Sequence, residues 1–319
     1  MELIAADIGG TKSWLAWVRK TPETGSEVLF ERVYASIAFL TADDLVRQFI
    51  ADAGQAARPD CLLLALPGPL HAQHTRLTNL DWTLDVADMR ASLDIPHVEF
   101  INDFQAAAAG VETLTDADLV VLNAQPVEAG GVRAITGAGT GLGLAFMVAG
   151  PDGRYRTYPT EGGHIDFAPA DEVQAALLER LHAKHGHVSW ERVVSGTALG
   201  EIYDFCCVER GRPPAGAEVD GAALLAMAQA GNVRAIRALE LFVDLYGAWV
   251  GNVALLYQPK GGLYVAGGVA VHLRDYLQSA RFMGAALAKG RMRGVVAQTP
   301  IFLVTCARLG LQGAIASAC

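Results

Sequence analysis

A strand–glycine turn–strand pattern that occurs twice constrains this chain more than any other feature. Residues 2–7 form an apolar run ending in Asp7, Gly9-Gly10-Thr11 turn the chain, and Trp14 to Val18 lead back. Near residue 139 the pattern recurs, with Ala134 to Thr136, then Gly137-Ala138-Gly139-Thr140-Gly141-Leu142-Gly143, then Leu144 to Val148. Each glycine costs about 0.5–1 kcal/mol of conformational entropy relative to alanine, so such density in an apolar setting points to a ligand. Bare backbone lets N–H groups approach phosphate oxygens and form an anion nest, to which the Thr11 hydroxyl adds a donor. The first turn taken alone also suits a plain hairpin. The second is not a P-loop, because no Gly-Lys-Ser/Thr follows, nor a dinucleotide fingerprint, because its return segment reads as strand. Two such turns in two α/β units suggest a polyphosphate gripped from both sides.

The remaining elements fit that frame. Val28 to Val33 can add a strand, and Ala42 to Ala53 has Leu45, Phe49 and Ile50 at helical spacing. Cys61 to Leu66 is a continuous apolar run, as in a buried parallel strand, stopped by Pro67-Gly68-Pro69. Val86 to Leu93 reads as a helix and His97 to Ile101 as a strand delivering Asn102 and Asp103. A second unit begins near residue 115, with Leu119 to Leu122 strand-like. Helices are expected over Glu172 to His185, Ala198 to Arg210, Gly221 to Gln229, Asn232 to Tyr257, where Ile236, Leu239, Phe242, Val243, Tyr246 and Val250 mark one face, and Leu309 to Ala318. Short strands are expected at Gly262 to Ala266 and Ile301 to Val304. At 319 residues the chain is long for one domain.

Composition narrows the function classes. Net charge is −9 with no basic stripe, so nucleic acid is not an expected partner. The start lacks the charged and apolar regions of a signal peptide, and no uninterrupted apolar run reaches the ~18 residues of a spanning segment. The five cysteines, Cys61, Cys206, Cys207, Cys306 and Cys319, contain no C-x-x-C pair and read as reduced thiols of a cytoplasmic protein. His182, His185 and His187 lie close together without a cysteine partner and read as a solvated helix end rather than a metal site.

Four further stretches can carry chemistry. Asn102-Asp103 ends a strand just before the Ala-rich segment Gln105 to Ala109, so locally it suits a helix cap; a carboxylate at a strand's carboxyl end also suits a general base. Glu161-Gly162-Gly163-His164 offers a carboxylate and an imidazole three residues apart, a pairing suited to sugar hydroxyls or to a solvated loop. Glu191 locally reads as a first-turn helix carboxylate favoured by the dipole. Gly267-Gly268 is either a tight strand–helix turn or bare backbone against an adenosine. Asp7 at its strand end can hold Mg²⁺ through water.

The order of these pieces resembles the bacterial ATP-dependent glucokinase family of the sugar-kinase/actin-like ATPase superfamily. The likeness spans nearly the whole chain. It rests on Asp7-Ile8-Gly9-Gly10-Thr11-Lys12, Pro67-Gly68-Pro69, Leu77-Thr78-Asn79-Leu80-Asp81-Trp82, Asn102-Asp103, Gly137 to Gly143, Glu161 through Pro169, His187-Val188-Ser189 through Ser195-Gly196, and Ala266-Gly267-Gly268. The resemblance implies an α/β, two-domain actin-like ATPase (ribonuclease H-like) fold with an interdomain cleft. Residues 1–113 would form a small α/β domain completed by the C-terminal helix at about 305–319, and 114–304 a large α+β domain. It further implies that Asp103 takes the proton of the sugar 6-hydroxyl, while Asn102, Glu161, His164 and Glu191 hold the other hydroxyls of D-glucose. Asp7, Gly9, Gly10, Thr11 and Lys12, with Gly137, Gly139, Thr140 and Gly141, would be the two ATP phosphate motifs, and Gly267 and Gly268 would belong to the adenosine motif. ATP and Mg²⁺ are the implied cofactors and a homodimer the implied assembly. The cysteine-rich zinc segment of the related repressor/open-reading-frame/kinase group is absent, so no structural zinc is expected. Two departures, Thr160 before Glu161 and Thr197-Ala198 after Ser195-Gly196, stand where glycine and Pro-Gly are usual, and are expected to tune the sugar loop.

The expected activity is transfer of the γ-phosphoryl of MgATP to the 6-hydroxyl of D-glucose. The rivals are a kinase of another hexose or amino sugar on the same scaffold, and a non-catalytic sugar-sensing regulator. A regulator of that kind usually carries a DNA-binding helix-turn-helix ahead of the first phosphate turn, and Asp7 stands too near the start for one.

Overall fold

The computed structural model describes residues 1–21, 25–68, 70, 73–77, 80–208 and 219–318. Pro69, Thr78, Asn79, Arg210 and Cys319, which entered the sequence reading, lie outside the described residues. The chain divides into two compact units: Met1–Thr115 with Arg156–Pro159 and Cys306–Cys319, and Asp116–Tyr155 with Thr160–Thr305.

The first unit contains strands β1 (Glu2–Ile8), β2 (Lys12–Thr21), β3 (Gly25–Ala35), β4 (Cys61–Leu66), β5 (His74–Leu77), β6 (Trp82–Asp85) and β7 (His97–Asn102). Its early helices are α1 (Ala42–Ala53), α2 (Val86–Leu93) and α3 (Asp103–Gly110). Five strands form one sheet in the order β3-β2-β1-β4-β7. β1 pairs antiparallel with β2 across the glycine turn and parallel with β4, and β4 is parallel to β7. β4 is buried along its whole length, as its apolar run predicts for a strand covered on both faces. Alternation sorts the sheet's faces. Ile4, Ala6, Leu62 and Leu64 face a core with Leu45, Val46 and Phe49 of α1, while Leu3, Ala5, Leu63 and Ala65 face Ala106 of α3 and the C-terminal helix. α1 starts where Thr41 accepts a hydrogen bond from the Asp44 N–H and stops at Gly54 in the left-handed region. The antiparallel β5–β6 pair went unforeseen, because four-residue strands are too short to show a period.

The second unit contains β8 (Leu119–Asn123), β9 (Arg133–Ala138), β10 (Leu142–Ala149), β12 (Leu263–Ala266) and β13 (Ile301–Val304), in a sheet ordered β11-β10-β9-β12-β13-β8, where β11 is Tyr155–Thr160. β9 is antiparallel to β10 across the second glycine turn and parallel to β12, which is parallel to β13. The arrangement of β1, β2, β4 and β7 is thus repeated by β9, β10, β12 and β13, with a hairpin beside two parallel strands. The helices are α4 (Glu172–His185), α5 (Gly196–Val208), α6 (Gly221–Gln229), α7 (Val233–Tyr257), α8 (Gly268–His272), α9 (Arg274–Leu277), α10 (Ala280–Leu287) and α11 (Arg293–Ala297). The last helix, α12 (Leu309–Ser317), belongs to the first unit.

α7 is long and apolar enough to cross a membrane, although charged residues interrupt its run. Its most apolar window is 67% buried within the protein, with Leu239, Phe242, Tyr246, Trp249 and Val250 fully enclosed. It is the central helix of a core. Cys206, Cys207 and Cys306 are free thiols, but Cys61 is disulfide-bonded, which corrects the expectation of a reduced thiol there. His187 pairs with Asp166 at 2.7 Å and His185 lies 3.6 Å from Glu201, so these two imidazoles face carboxylates.

Candidate functional site

In the first unit the parallel strands β1, β4 and β7 present their carboxyl ends along one edge. Asp7 stands beside Ala65, and Leu66 beside Asn102. That edge therefore carries the Asp7–Lys12 turn, Pro67-Gly68 and Asn102-Asp103, where open α/β sheets place ligands. The turn is tight: the Gly9 N–H donates to the Lys12 carbonyl at 3.0 Å, with Thr11 and Lys12 exposed. Ser36, fully buried, braces it from behind, its hydroxyl donating to the Gly9 carbonyl at 2.6 Å and its N–H to the Thr11 carbonyl at 3.1 Å. The Asp7 carboxylate is so crowded that burial pushes its pKa up to about 6, against the pull of the Lys12 ammonium. By accessible surface Asp7 is only partly buried, and we read it as a carboxylate with one open side. A Cβ at Gly310 would fall on its Oδ2, so that glycine leaves room for the group. No donor among the described residues reaches it. An open, undersatisfied carboxylate beside a glycine turn fits a hydrated divalent cation.

Asn102 caps α3, its Oδ1 accepting from the Phe104 and Gln105 N–H groups at 2.9 and 3.1 Å, while its Nδ2 donates to the Gly68 carbonyl at 3.2 Å. The cap reading holds for Asn102, and it fixes the neighbouring Asp103. Asp103 Oδ1 accepts from the Phe104 N–H at 2.8 Å, and the residue is partly exposed at the helix start.

In the second unit the tip of the β9–β10 turn, Gly139-Thr140, is exposed, while Gly137 is buried beside Ala266. Nothing lies within 4 Å of where a Cβ would stand on Gly139 or Gly268, so bare backbone faces open space at both. Gly267 adopts φ 94° and its α-carbon side packs on Ala138, tying the end of β12 to the base of the turn. Glu161 precedes a one-turn 3-10 helix, Gly162–His164, in place of the expected loop. That turn sets His164 Nε2 3.8 Å from Glu161 and His164 Nδ1 4.0 Å from Glu191, with all three side chains partly exposed. Glu191 begins no long helix; it lies in the short 3-10 turn Trp190–Arg192. Its Oε2 accepts from the Leu142 N–H at 2.8 Å, so Glu191 touches the β9–β10 glycine turn directly.

The family model for glucokinase matches residues 4–319. The chain belongs to the glucokinase family. It is 38% identical to the glucokinase of Synechocystis sp., an alignment covering 98% of this chain and 97% of that protein. Among solved structures, a glucokinase from an Antarctic psychrotroph superposes with a TM-score of 0.82 at 29% identity, covering 99% and 98% of the two chains. A glucokinase from Balamuthia mandrillaris in complex with glucose gives a TM-score of 0.79 at 21% identity over 98% and 92%. A glucokinase of the ROK family from Streptomyces griseus, in complex with glucose and AMPPNP, gives 0.62 at 19% over 98% of each. The fold is accordingly the two-domain actin-like ATPase fold.

Sequence reasoning missed the residues that hold these motifs from behind. Ser36 stands 27 residues from its acceptor Gly9. Tyr246 accepts from the Ala138 N–H at 3.2 Å, and Trp249 donates to Thr136 Oγ1 at 2.8 Å, which donates to the Gly143 carbonyl at 2.8 Å. In sequence Tyr246 reads only as part of the apolar face of a core helix, and Trp249 does not stand out. Thr160 had a signal, as a departure from family pattern: its hydroxyl donates to the Leu144 carbonyl and accepts from the Gly162 N–H, both at 3.1 Å, and so ties down the Glu161 loop.

Proposed function

We propose that this protein is a glucokinase, transferring the γ-phosphoryl of MgATP to the 6-hydroxyl of D-glucose to give glucose 6-phosphate and ADP. Family membership supports the reaction class. The observation that carries the sugar assignment is the Glu161–His164–Glu191 cluster abutting a glycine turn, because carboxylates accept from pairs of hydroxyls and imidazole accepts or donates. Asn102 adds a fourth polar group, and Asp103 takes the 6-hydroxyl proton as general base, a role worth about 10²–10⁴-fold in rate. The N–H groups at the tips of the two glycine turns bind phosphate oxygens, Lys12 adds a positive charge, and Gly267-Gly268 lies against the adenosine. Asp7 would hold Mg²⁺ through water; bound there, the ion neutralises charge on the phosphate oxygens. Positioning by these groups supplies most of the acceleration. The reading includes a cytoplasmic homodimer.

A coupled assay across hexoses and donors tests this. Glucose with MgATP is expected to give the highest kcat/KM among glucose, mannose, glucosamine and N-acetylmannosamine, and among ATP, ADP and polyphosphate. Preference for another sugar overturns the glucose assignment; no phosphorylation of any hexose favours the regulator.

A further inference from the structure

Three bonds lace the segment 191–197 to the β9–β10 turn. Glu191 Oε2 accepts from the Leu142 N–H at 2.8 Å, the Gly196 N–H donates to the Gly139 carbonyl at 2.7 Å, and Thr197 Oγ1 donates to the Thr140 carbonyl at 3.5 Å. Thr197 is itself held by Ser195 Oγ at 3.0 Å. The Glu191–Leu142 bond is the one made by an ionisable side chain, and charge-assisted bonds to backbone N–H are roughly twice as strong as neutral ones. A Cβ at position 141 would meet the Glu191 carboxylate, so a larger residue there would displace it from the turn. The other oxygen, Oε1, lies 4.0 Å from His164 Nδ1 and the side chain is partly exposed, so one carboxylate has one oxygen committed to the turn and one turned to the polar cluster.

We propose that Glu191 is a positioning residue for the phosphoryl donor as well as a sugar ligand, fixing the phosphate-binding turn through Leu142 with one oxygen while the other receives a sugar hydroxyl. The sugar half rests on the proposed function; the turn half does not. The Gly139 N–H closes the turn on the Gly141 carbonyl at 2.8 Å, and Glu191 sets where the Thr140 and Gly141 N–H groups point before any sugar arrives. A hydroxyl donated to Oε1 then restrains the same carboxylate and with it the turn, so sugar and nucleotide bind with positive coupling.

The test is calorimetric titration of the intact protein with MgAMPPNP, without sugar and then with saturating glucose, alongside glucose alone. Glu191→Ala is expected to weaken MgAMPPNP binding without sugar on the order of 10-fold, the loss of one charge-assisted bond. Glu191→Gln keeps an acceptor for the Leu142 N–H and is expected to stay within about threefold for nucleotide while losing glucose affinity on the order of 10-fold. Gly141→Ala is expected to weaken nucleotide in the wild type yet add little on top of Glu191→Ala, because both disturb one contact. Unchanged or tighter nucleotide binding by Glu191→Ala, equal nucleotide loss in Glu191→Gln, or additive effects of Gly141→Ala would each overturn the positioning role. Wild-type glucose affinity in Glu191→Gln would instead overturn the sugar reading and leave the nucleotide result standing.

Discussion

Asp7 closes β1 with a carboxylate that the fold holds at a cost. Its folded pKa is pushed up to about 6 from an ordinary 3.8, chiefly by burial. Between those values the folded protein keeps a proton that the unfolded chain releases, so stability falls as pH rises from about 4 to about 6 and levels off above. Asp7→Asn removes that penalty. In metal-free buffer it is expected to be more stable than wild type above pH 6, by on the order of 2–3 kcal/mol, with the gap closing toward pH 4. Urea unfolding of both proteins across that range checks this; a gap that does not depend on pH would contradict it. At this scale much was legible in sequence, because Asp7, Asn102-Asp103 and Glu161-His164 announce themselves by residue type beside glycine or at a strand end. Ser36 and Gly310 were not, because their importance comes from a carbonyl and a carboxylate reached only in the folded chain.

Elements were more legible than their supports. The run Cys61 to Leu66 marked a buried parallel strand, and the stripe from Ile236 to Val250 marked α7, because both obey simple periods. Those periods do not reveal that α7 anchors the β9–β10 turn. Burial pushes the Tyr246 phenol up, keeping it protonated, and its oxygen accepts from the Ala138 N–H. Tyr246→Phe keeps the ring packing and removes that acceptor. It is expected to cost about 1–3 kcal/mol of stability, as for a buried donor losing a partner. It should also raise KM for ATP more than KM for glucose, because the displaced strand end leads into the proposed phosphate turn. Denaturant unfolding and steady-state kinetics check both, and equal shifts in the two KM values would count against the anchoring role.

Across the whole molecule, the two ends of the chain build one unit. Leu311, Ala314 and Ile315 of α12 pack on the face of the first sheet that carries Leu3, Ala5 and Leu63, and Lys20 Nζ donates to the Ala318 carbonyl at 2.7 Å. Leu311→Ala is therefore expected to cost about 2–5 kcal/mol, read by thermal or urea unfolding, and a loss under 1 kcal/mol would contradict α12 as cover for that sheet. The sequence placed a terminal helix at Leu309 to Ala318, but nothing in that stretch reveals that it packs on the first strands, because that contact exists only in the folded chain. In the proposed reaction the base Asp103 belongs to the first unit, and the proposed sugar ligands Glu161, His164 and Glu191 belong to the second. The most direct test of that reaction is turnover by Asp103→Asn with glucose and MgATP, read as glucose 6-phosphate formed alongside glucose affinity. A fall in kcat of about 10²–10⁴-fold is expected for loss of a general base, with glucose affinity kept within a few-fold. Turnover near that of the wild type would contradict it.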